Sequence, residues 1–184
     1  MPNALVILAN GFEEIEAIAV IDILRRGQVD VTIAGLDTLR IVSSRRLAIE
    51  TETVLAHCLT TTYDVIVLPG GEPGTTHLEA SDLVQEIVSK QVKLGGWVAA
   101  ICAAPRILAK RGFLNQKKAT SFPQTKPAMA GCLYQEETVV IDKPFITSRG
   151  AGTALSFGFE ILSILTSEDT AKTVKTAMVF ESSF

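Results

Sequence analysis

The sequence predicts a flavodoxin-like α/β fold: a doubly wound, mostly parallel sheet with helices on both faces. Three observations predict it. Short apolar runs alternate with segments of helical period. The runs are continuously apolar, as strands buried on two faces are. Glycine- or proline-marked breaks follow several of them. With 184 residues, 47% hydrophobic and 20% charged, the chain is long enough to bury a substantial core, and a single domain over 1–184 is expected.

Residues 4–9 form the first apolar run and read as a strand. Ile15, Ile18, Ile21 and Ile23-Leu24 then recur near helical spacing, which predicts a helix over 13–26. Arg25-Arg26 suit its negative C-terminal end, and Gly27 stops it. Residues 31–34 follow as a strand and complete a βαβ unit. The stretch 40–49 reads as an excursion of short strands, and 65–68 as another buried strand broken by Pro69-Gly70-Gly71. Ser81 is the N-cap expected for a helix running to Leu94, ended by Gly95-Gly96. Residues 97–101 read as a strand and 103–111 as a helix, so Cys102 stands at the junction. Strands over 118–121, 139–141 and 145–147 and helices over 152–165 and 168–179 complete the chain, with no linker or repeat.

Seventeen basic and 20 acidic residues give a formal charge of -3, and no stretch concentrates Lys or Arg as a nucleic-acid face requires. A small molecule or a protein is the partner this charge pattern fits. The N-terminus has no basic region, and its apolar run is interrupted by Asn10-Gly11, so neither a targeting segment nor a membrane anchor is expected and a cytoplasmic location is. Cys58, Cys102 and Cys132 lack the CxxC spacing of a zinc site or redox pair, and free thiols in a reducing compartment are expected.

Doubly wound sheets bind ligands beyond the carboxyl ends of their strands, where the loops 10–16, 69–74 and 102–105 emerge. A cysteine at a helix N-terminus has its thiolate stabilised by free amides, which predicts a Cys102 thiol pKa below the usual value of about 8.5. A buried structural thiol is the competing reading. Ala99-Ala100 and Ala103-Ala104 favour the reactive one, because small residues allow a tight turn that leaves the sulfur uncovered. Gly70 or Gly71 with the amide of Ala103 is a candidate oxyanion hole. Glu13, Glu14 and Glu16 crowd the first helical turn, where the dipole alone accounts for all three. A functional role needs one of them to face the crevice, where a carboxyl beside a thiolate would stay protonated. Spacing does not say which. His57 and His77, the two histidines, are weak candidates for a catalytic base, and Cys58 and Cys132 lack a charged helix terminus to activate them.

Four motifs in order carry a resemblance. Residues 4–9 lead into Gly11-x-Glu13-Glu14-x-Glu16, and Tyr63-Asp64-Val65-Ile66-Val67-Leu68-Pro69-Gly70-Gly71 follows. Ala99-Ala100-Ile101-Cys102-Ala103-Ala104-Pro105 and Thr147-Ser148-Arg149-Gly150-x-Gly152-Thr153 complete the set. In these motifs the chain resembles the ThiJ/PfpI superfamily, in the branch of DJ-one and YajL, nearly end to end. The resemblance implies that Cys102 is a nucleophile and oxidation sensor, with Glu16 the protonated glutamate that contacts it and Gly71 and Ala103 the amide pair around it. It implies that Arg45, in Ser43-Ser44-Arg45, borders the site and holds an anion or oxidised sulfur. It further implies a homodimer with the first helix near the two-fold axis, and chemistry without metal, nucleotide or other cofactor.

The activity so implied is a cysteine-dependent glyoxalase or protein deglycase acting on reactive dicarbonyls such as methylglyoxal, protective under oxidative stress. The alternative is a non-enzymatic redox sensor or chaperone whose cysteine oxidises to sulfinate. Some members carry a histidine in a Thr-His-Pro context, whereas this chain has Ser121-Phe122-Pro123, as YajL-like members do. Slow turnover without a histidine base is therefore expected. Peptidase members carry a histidine directly after the cysteine and related glutaminases a later His-x-Glu pair; here Ala103 follows Cys102 and no histidine follows His77, so neither activity is expected.

Overall fold

Apolar strands and amphipathic helices alternate along the computed structural model, which describes residues 1–181. The order is β1 (Asn3–Leu8), α1 (Glu14–Arg26), β2 (Asp30–Gly35), β3 (Arg40–Val42), β4 (Ala48–Glu50), β5 (Thr53–Val54), β6 (Val65–Leu68), α2 (Gly74–Ala80) and α3 (Asp82–Lys93). It continues with β7 (Trp97–Ile101), α4 (Pro105–Lys110), β8 (Lys118–Ala119), β9 (Leu133–Tyr134), β10 (Val139–Asp142), β11 (Phe145–Ser148), α5 (Ala154–Leu165) and α6 (Glu168–Ala177).

Seven strands form the main sheet in the order β10-β11-β7-β6-β1-β2-β5. Its pairs are parallel except β10 with β11. The winding reverses between β1 and β6, because β1 leads to β2 on one side while β6 leads to β7 on the other. The carboxyl ends of β1 and β6 therefore flank the crevice where such folds place ligands.

Alternate residues of β1 feed two cores. Ala4, Val6 and Leu8 pack with Val20 of α1 and Phe157 of α5, while Leu5 and Ile7 pack with Val84 and Val88 of α3. All five β1 side chains are fully buried, which explains why this strand reads as an unbroken apolar run. Burying each Val, Leu or Ile contributes about 1.5–3 kcal/mol, so the central strands anchor the loops they release.

Three local differences from the sequence reading matter for the site. Helix α2 lies where the sequence reading assigns no helix, since Gly74-Thr75-Thr76 are weak helix formers; the Thr75 N–H bonded to Gly71 O at 2.8 Å starts it. The helix expected over 103–111 is α4, which begins only at Pro105, because Cys102–Ala104 form a turn instead. Strand β8 stays outside the main sheet and pairs with β9. Ser81 caps α3 as expected, its Oγ accepting the Val84 N–H at 3.4 Å. Among the described residues, no helix is long and apolar enough to cross a membrane.

Candidate active site

Cys102 has a φ of +63°, a left-handed conformation that non-glycine residues rarely adopt. Four other non-glycine residues share a positive φ, but Gln28, Arg46, Gln116 and Val179 are all exposed, whereas Cys102 is only half-buried at the end of a fully buried strand. Strain of this kind costs about 1–3 kcal/mol and persists only where the surroundings enforce it. Here the Cys102 N–H donates to Ser148 O at 3.0 Å and its carbonyl accepts the Phe122 N–H at 2.8 Å. The result is a sharp elbow between β7 and α4 that holds the sulfur toward the crevice.

The three glutamates at the start of α1 divide three tasks. Glu13 is the N-cap of α1, accepting the Glu16 N–H at 2.8 Å. Glu14 binds the β3–β4 hairpin, accepting the Ser43 and Ser44 hydroxyls at 3.0 and 3.1 Å and the Arg45 backbone N–H, and these bonds hold its carboxyl below the usual range although burial acts against them. Glu16 is fully buried and turns toward Cys102. Its Oε2 accepts the Gly70 N–H at 2.8 Å, while its Oε1 is buried without a hydrogen bond of ordinary geometry.

The glycine loop closes the other side. Gly70 donates to Glu16 and its carbonyl accepts the Glu13 N–H at 2.8 Å, so its amide is not free for an oxyanion. A Cβ at Gly70 would lie 2.6 Å from the Cys102 Cβ and 2.7 Å from Glu16 Oε2, so only glycine fits between the two side chains. Gly71, at φ +90°, turns its N–H toward the sulfur, and the Ala103 N–H reaches the sulfur from the elbow.

Electrostatically the two acids act as a pair. Burial pushes the Glu16 carboxyl up to about 7, with the Glu13 charge adding to the rise and hydrogen bonds from Cys102 and Gly70 opposing it. Burial, then the charge and hydrogen bond of Glu16, push the Cys102 thiol up to about 12, against the Ala103 and Gly71 amides. The expected low thiol pKa is thus corrected: the thiol is not acidic on its own. The helix beyond it is short and starts three residues later, and a second negative charge beside Glu16 is costly. The pair gives up one proton near neutrality and holds the other far above it.

Comparison with known proteins agrees with this fold. A model of the DJ-1/PfpI family matches residues 2–164. The chain belongs to the DJ-1/PfpI family. Protein DJ-1alpha of Drosophila melanogaster is 43% identical over 182 residues, spanning 97% of this chain and 84% of that protein. A Caenorhabditis elegans protein named glutathione-independent glyoxalase DJR-1.2 is 34% identical over 154 residues, spanning 83% of this chain and 82% of that protein. The crystal structure of Drosophila melanogaster DJ-1beta superposes with a TM-score of 0.95 at 40% identity, covering 98% of each chain.

In this DJ-1/PfpI fold Glu16, Gly71 and Ala103 meet at Cys102, but Arg45 does not join them. It lies exposed at the tip of the β3–β4 hairpin, and no contact links it to Cys102 among the described residues. His57 and His77 are exposed and engaged elsewhere, His57 Nδ1 at 3.5 Å from Thr53 Oγ1 and His77 Nδ1 at 2.9 Å from Asn10 O. Cys58 is buried, and the Cys132 thiol is pushed up by burial. A cavity of about 430 Å³ opens beside the ends of β1 and β2, lined by Asn10, Leu36, Asp37 and His77, but Cys102 is not among its lining residues. No cluster of three or more potential metal-ligating His, Cys, Asp or Glu side chains occurs among the described residues. Sequence reasoning missed the roles of Gly70 as spacer and Ser148 as backbone anchor; Ser148 stands in the Thr147–Thr153 motif, which was the available signal.

A pH-dependent stability follows. The Glu16 carboxyl is raised from 4.5 to about 7, so its protonated form favours the fold: the contribution is complete below pH 4.5 and is lost as pH rises through about 7. The loss amounts to on the order of 3 kcal/mol. Chemical denaturation of Glu16→Gln, which cannot ionise, is expected to show a flatter profile than the parent between about pH 4.5 and 7.5. Parallel profiles would mean that Glu16 does not titrate in this window.

Proposed function

We propose that this chain is a cofactor-independent thiol enzyme for reactive dicarbonyls, of the glyoxalase or protein-deglycase type, working in the cytoplasm. The observation that carries the reading is the strained Cys102 elbow facing a buried Glu16 and two N–H groups. The glyoxalase named among the relatives supports the substrate class.

In the productive form of the pair the proton sits on Glu16 and Cys102 is the thiolate, held by the Gly71 and Ala103 amides. The sulfur lone pair bonds to the aldehyde carbon of a 2-oxoaldehyde, and the carbonyl π pair moves to oxygen, where the same amides stabilise the charge. The oxyanion takes the Glu16 proton, giving a hemithioacetal. Glu16 then carries the former aldehyde proton to the neighbouring carbonyl oxygen, giving the enediol, and moves the proton of the sulfur-bearing carbon's hydroxyl to the adjacent carbon, so that the C–O bond left behind becomes the thioester carbonyl. Water cleaves the resulting thioester to a 2-hydroxy acid and frees the thiol. One water is consumed overall, and no external oxidant or reductant is needed.

Repeated formation of 2-hydroxy acid per mole of protein tests the proposal. Oxidation of Cys102 in equal amount to added peroxide, with no dicarbonyl consumed, would favour the second reading, a redox sensor or chaperone. That reading has its own support, since a half-buried sulfur facing two N–H groups and a protonated carboxyl also suits a sulfinate anion. Because Phe122 stands where some relatives have histidine, Phe122→His is expected to raise kcat by up to about a hundredfold, the lower end of what a positioned base contributes. An unchanged pH-rate profile would show that no base had been added.

Homodimerisation is part of the same reading. Ile15 and Ile18 are 55% and 41% exposed on the outer face of α1, and Leu47 of the neighbouring hairpin is 49% exposed. Sedimentation is expected to give a dimer for the parent and a monomer for Ile15→Glu combined with Ile18→Glu.

A further inference from the structure

The two amides that meet at the Cys102 sulfur come from different βα units. Gly71 follows β6 and Ala103 follows β7, so they act on one atom only if the two loops keep a fixed separation. Backbone bonds to Ser148 and Phe122 secure the elbow, and the Glu13 N–H and the Glu16 carboxylate secure the first half of the glycine loop. The second half, which carries the Gly71 N–H, is secured by α2 and by one cation.

That cation is Arg106, the second residue of α4 and four positions beyond Cys102. Its Nη1 donates to Glu72 Oε1 at 2.5 Å, its Nη2 to Thr76 Oγ1 at 3.0 Å and its Nε to Glu79 Oε2 at 2.9 Å. The side chain is 19% exposed, so all three guanidinium nitrogens work in a partly desolvated cleft. Glu72 adjoins Gly71, and its other oxygen accepts the Thr76 hydroxyl at 2.8 Å and N–H at 3.3 Å. The Gly71 carbonyl in turn accepts the Thr75 N–H at 2.8 Å and hydroxyl at 2.9 Å. A continuous chain of polar contacts therefore runs from α4 through Glu72 and α2 to Gly71. A planar fork with five donors can hold this geometry; a point-charge ammonium can engage only part of it.

We propose that Arg106 is a positioning residue for the Cys102 site: by binding Glu72, Thr76 and Glu79 to the helix that follows the elbow, it holds the Gly71 N–H against the sulfur. Arg106 touches no reacting atom. The inference rests on the reading of Cys102 as the nucleophile. Lys110 also bonds Glu79, so removal of Arg106 leaves that carboxylate with a cation, while Glu72 keeps only Thr76 among the described residues.

The test is the pH dependence of Cys102 alkylation together with steady-state kinetics on methylglyoxal. Arg106→Met is expected to move the alkylation midpoint up by about half a unit or more, because the thiolate loses a donor while Glu16, the charge beside it, and Glu13, the charge that acts on Glu16, are unchanged. It is expected to lower kcat about tenfold with KM held within about twofold, the pattern of an interaction made in the transition state. Arg106→Lys should restore part of both. Glu72→Gln, at a half-exposed position unimportant to the core, should reproduce the upward shift even if Arg106→Met folds poorly. A lower unfolding midpoint with parental alkylation and kcat would make Arg106 merely structural and overturn the proposal. If the parent turns over no dicarbonyl, the enzymatic reading fails and the alkylation midpoint alone decides the role of Arg106.

Discussion

Cys102→Ser is expected to reduce dicarbonyl turnover by on the order of a thousandfold or more, to the level of buffer. The two residues are close in shape, so the elbow, its φ of +63° and its bonds to Ser148 and Phe122 have no reason to change. What changes is the nucleophile. A thiol can share a titration with Glu16 near neutrality, whereas a hydroxyl ionises far above it and has no histidine beside it to take its proton. Far-ultraviolet dichroism and unfolding midpoints close to the parent would show that only chemistry has been lost. The same variant should lose the fast phase of iodoacetamide labelling, since Cys58 is 2% exposed and the Cys132 thiol, pushed up by burial, donates to Met129 O at 3.0 Å. Turnover retained in Cys102→Ser would refute the nucleophilic mechanism.

The legible parts of this fold are those whose physics is local. Residues 65–68 and 97–101 read as strands because every side chain from Val65 to Leu68 and from Val98 to Ile101 is buried, and an unbroken apolar run is the direct mark of that burial. Helix α3 reads correctly because Ser81 caps it and its apolar period is regular. Helix α2 did not, since it depends on contacts of Thr75 and Thr76 with Gly71 and Glu72 that propensity cannot reveal. Strands β5 and β9 are two residues each, too short to carry a period.

The site divides in the same way. That Cys102 lies at a strand-to-helix junction follows from the sequence pattern, but the division of labour among Glu13, Glu14 and Glu16 does not. It depends on where α1 points each side chain relative to two distant loops. The thiol pKa departs from the sequence expectation for a related reason. A helix N-terminus is visible in sequence, whereas the burial of Glu16 against the sulfur, which outweighs it, is a tertiary fact. Arg45 was placed by resemblance alone, and its hairpin tip leaves it exposed.

The tight contact at Gly70 leads to the second large effect. Gly70→Ala would set a methyl 2.6 Å from the Cys102 Cβ, 2.7 Å from Glu16 Oε2 and 2.9 Å from Ile101 O, all inside normal contact distance. The Ile101 carbonyl belongs to a buried strand and Cys102 is held by backbone bonds on both sides, so the mobile member is the Glu16 carboxylate. Overpacking a filled site costs about 1–3 kcal/mol, and the unfolding free energy should fall by that amount. Moving Glu16 aside breaks its bond to the Gly70 N–H and separates it from the sulfur, so its negative charge no longer opposes the thiolate. The Cys102 alkylation midpoint should then move down, toward the ordinary thiol range, while turnover falls about a hundredfold or more because no group remains to carry the proton. A more acidic thiol in a less active protein is the opposite of what simple loss of structure produces. If Gly70→Ala stays folded and keeps the parental alkylation profile, Glu16 and Cys102 are not coupled through this contact.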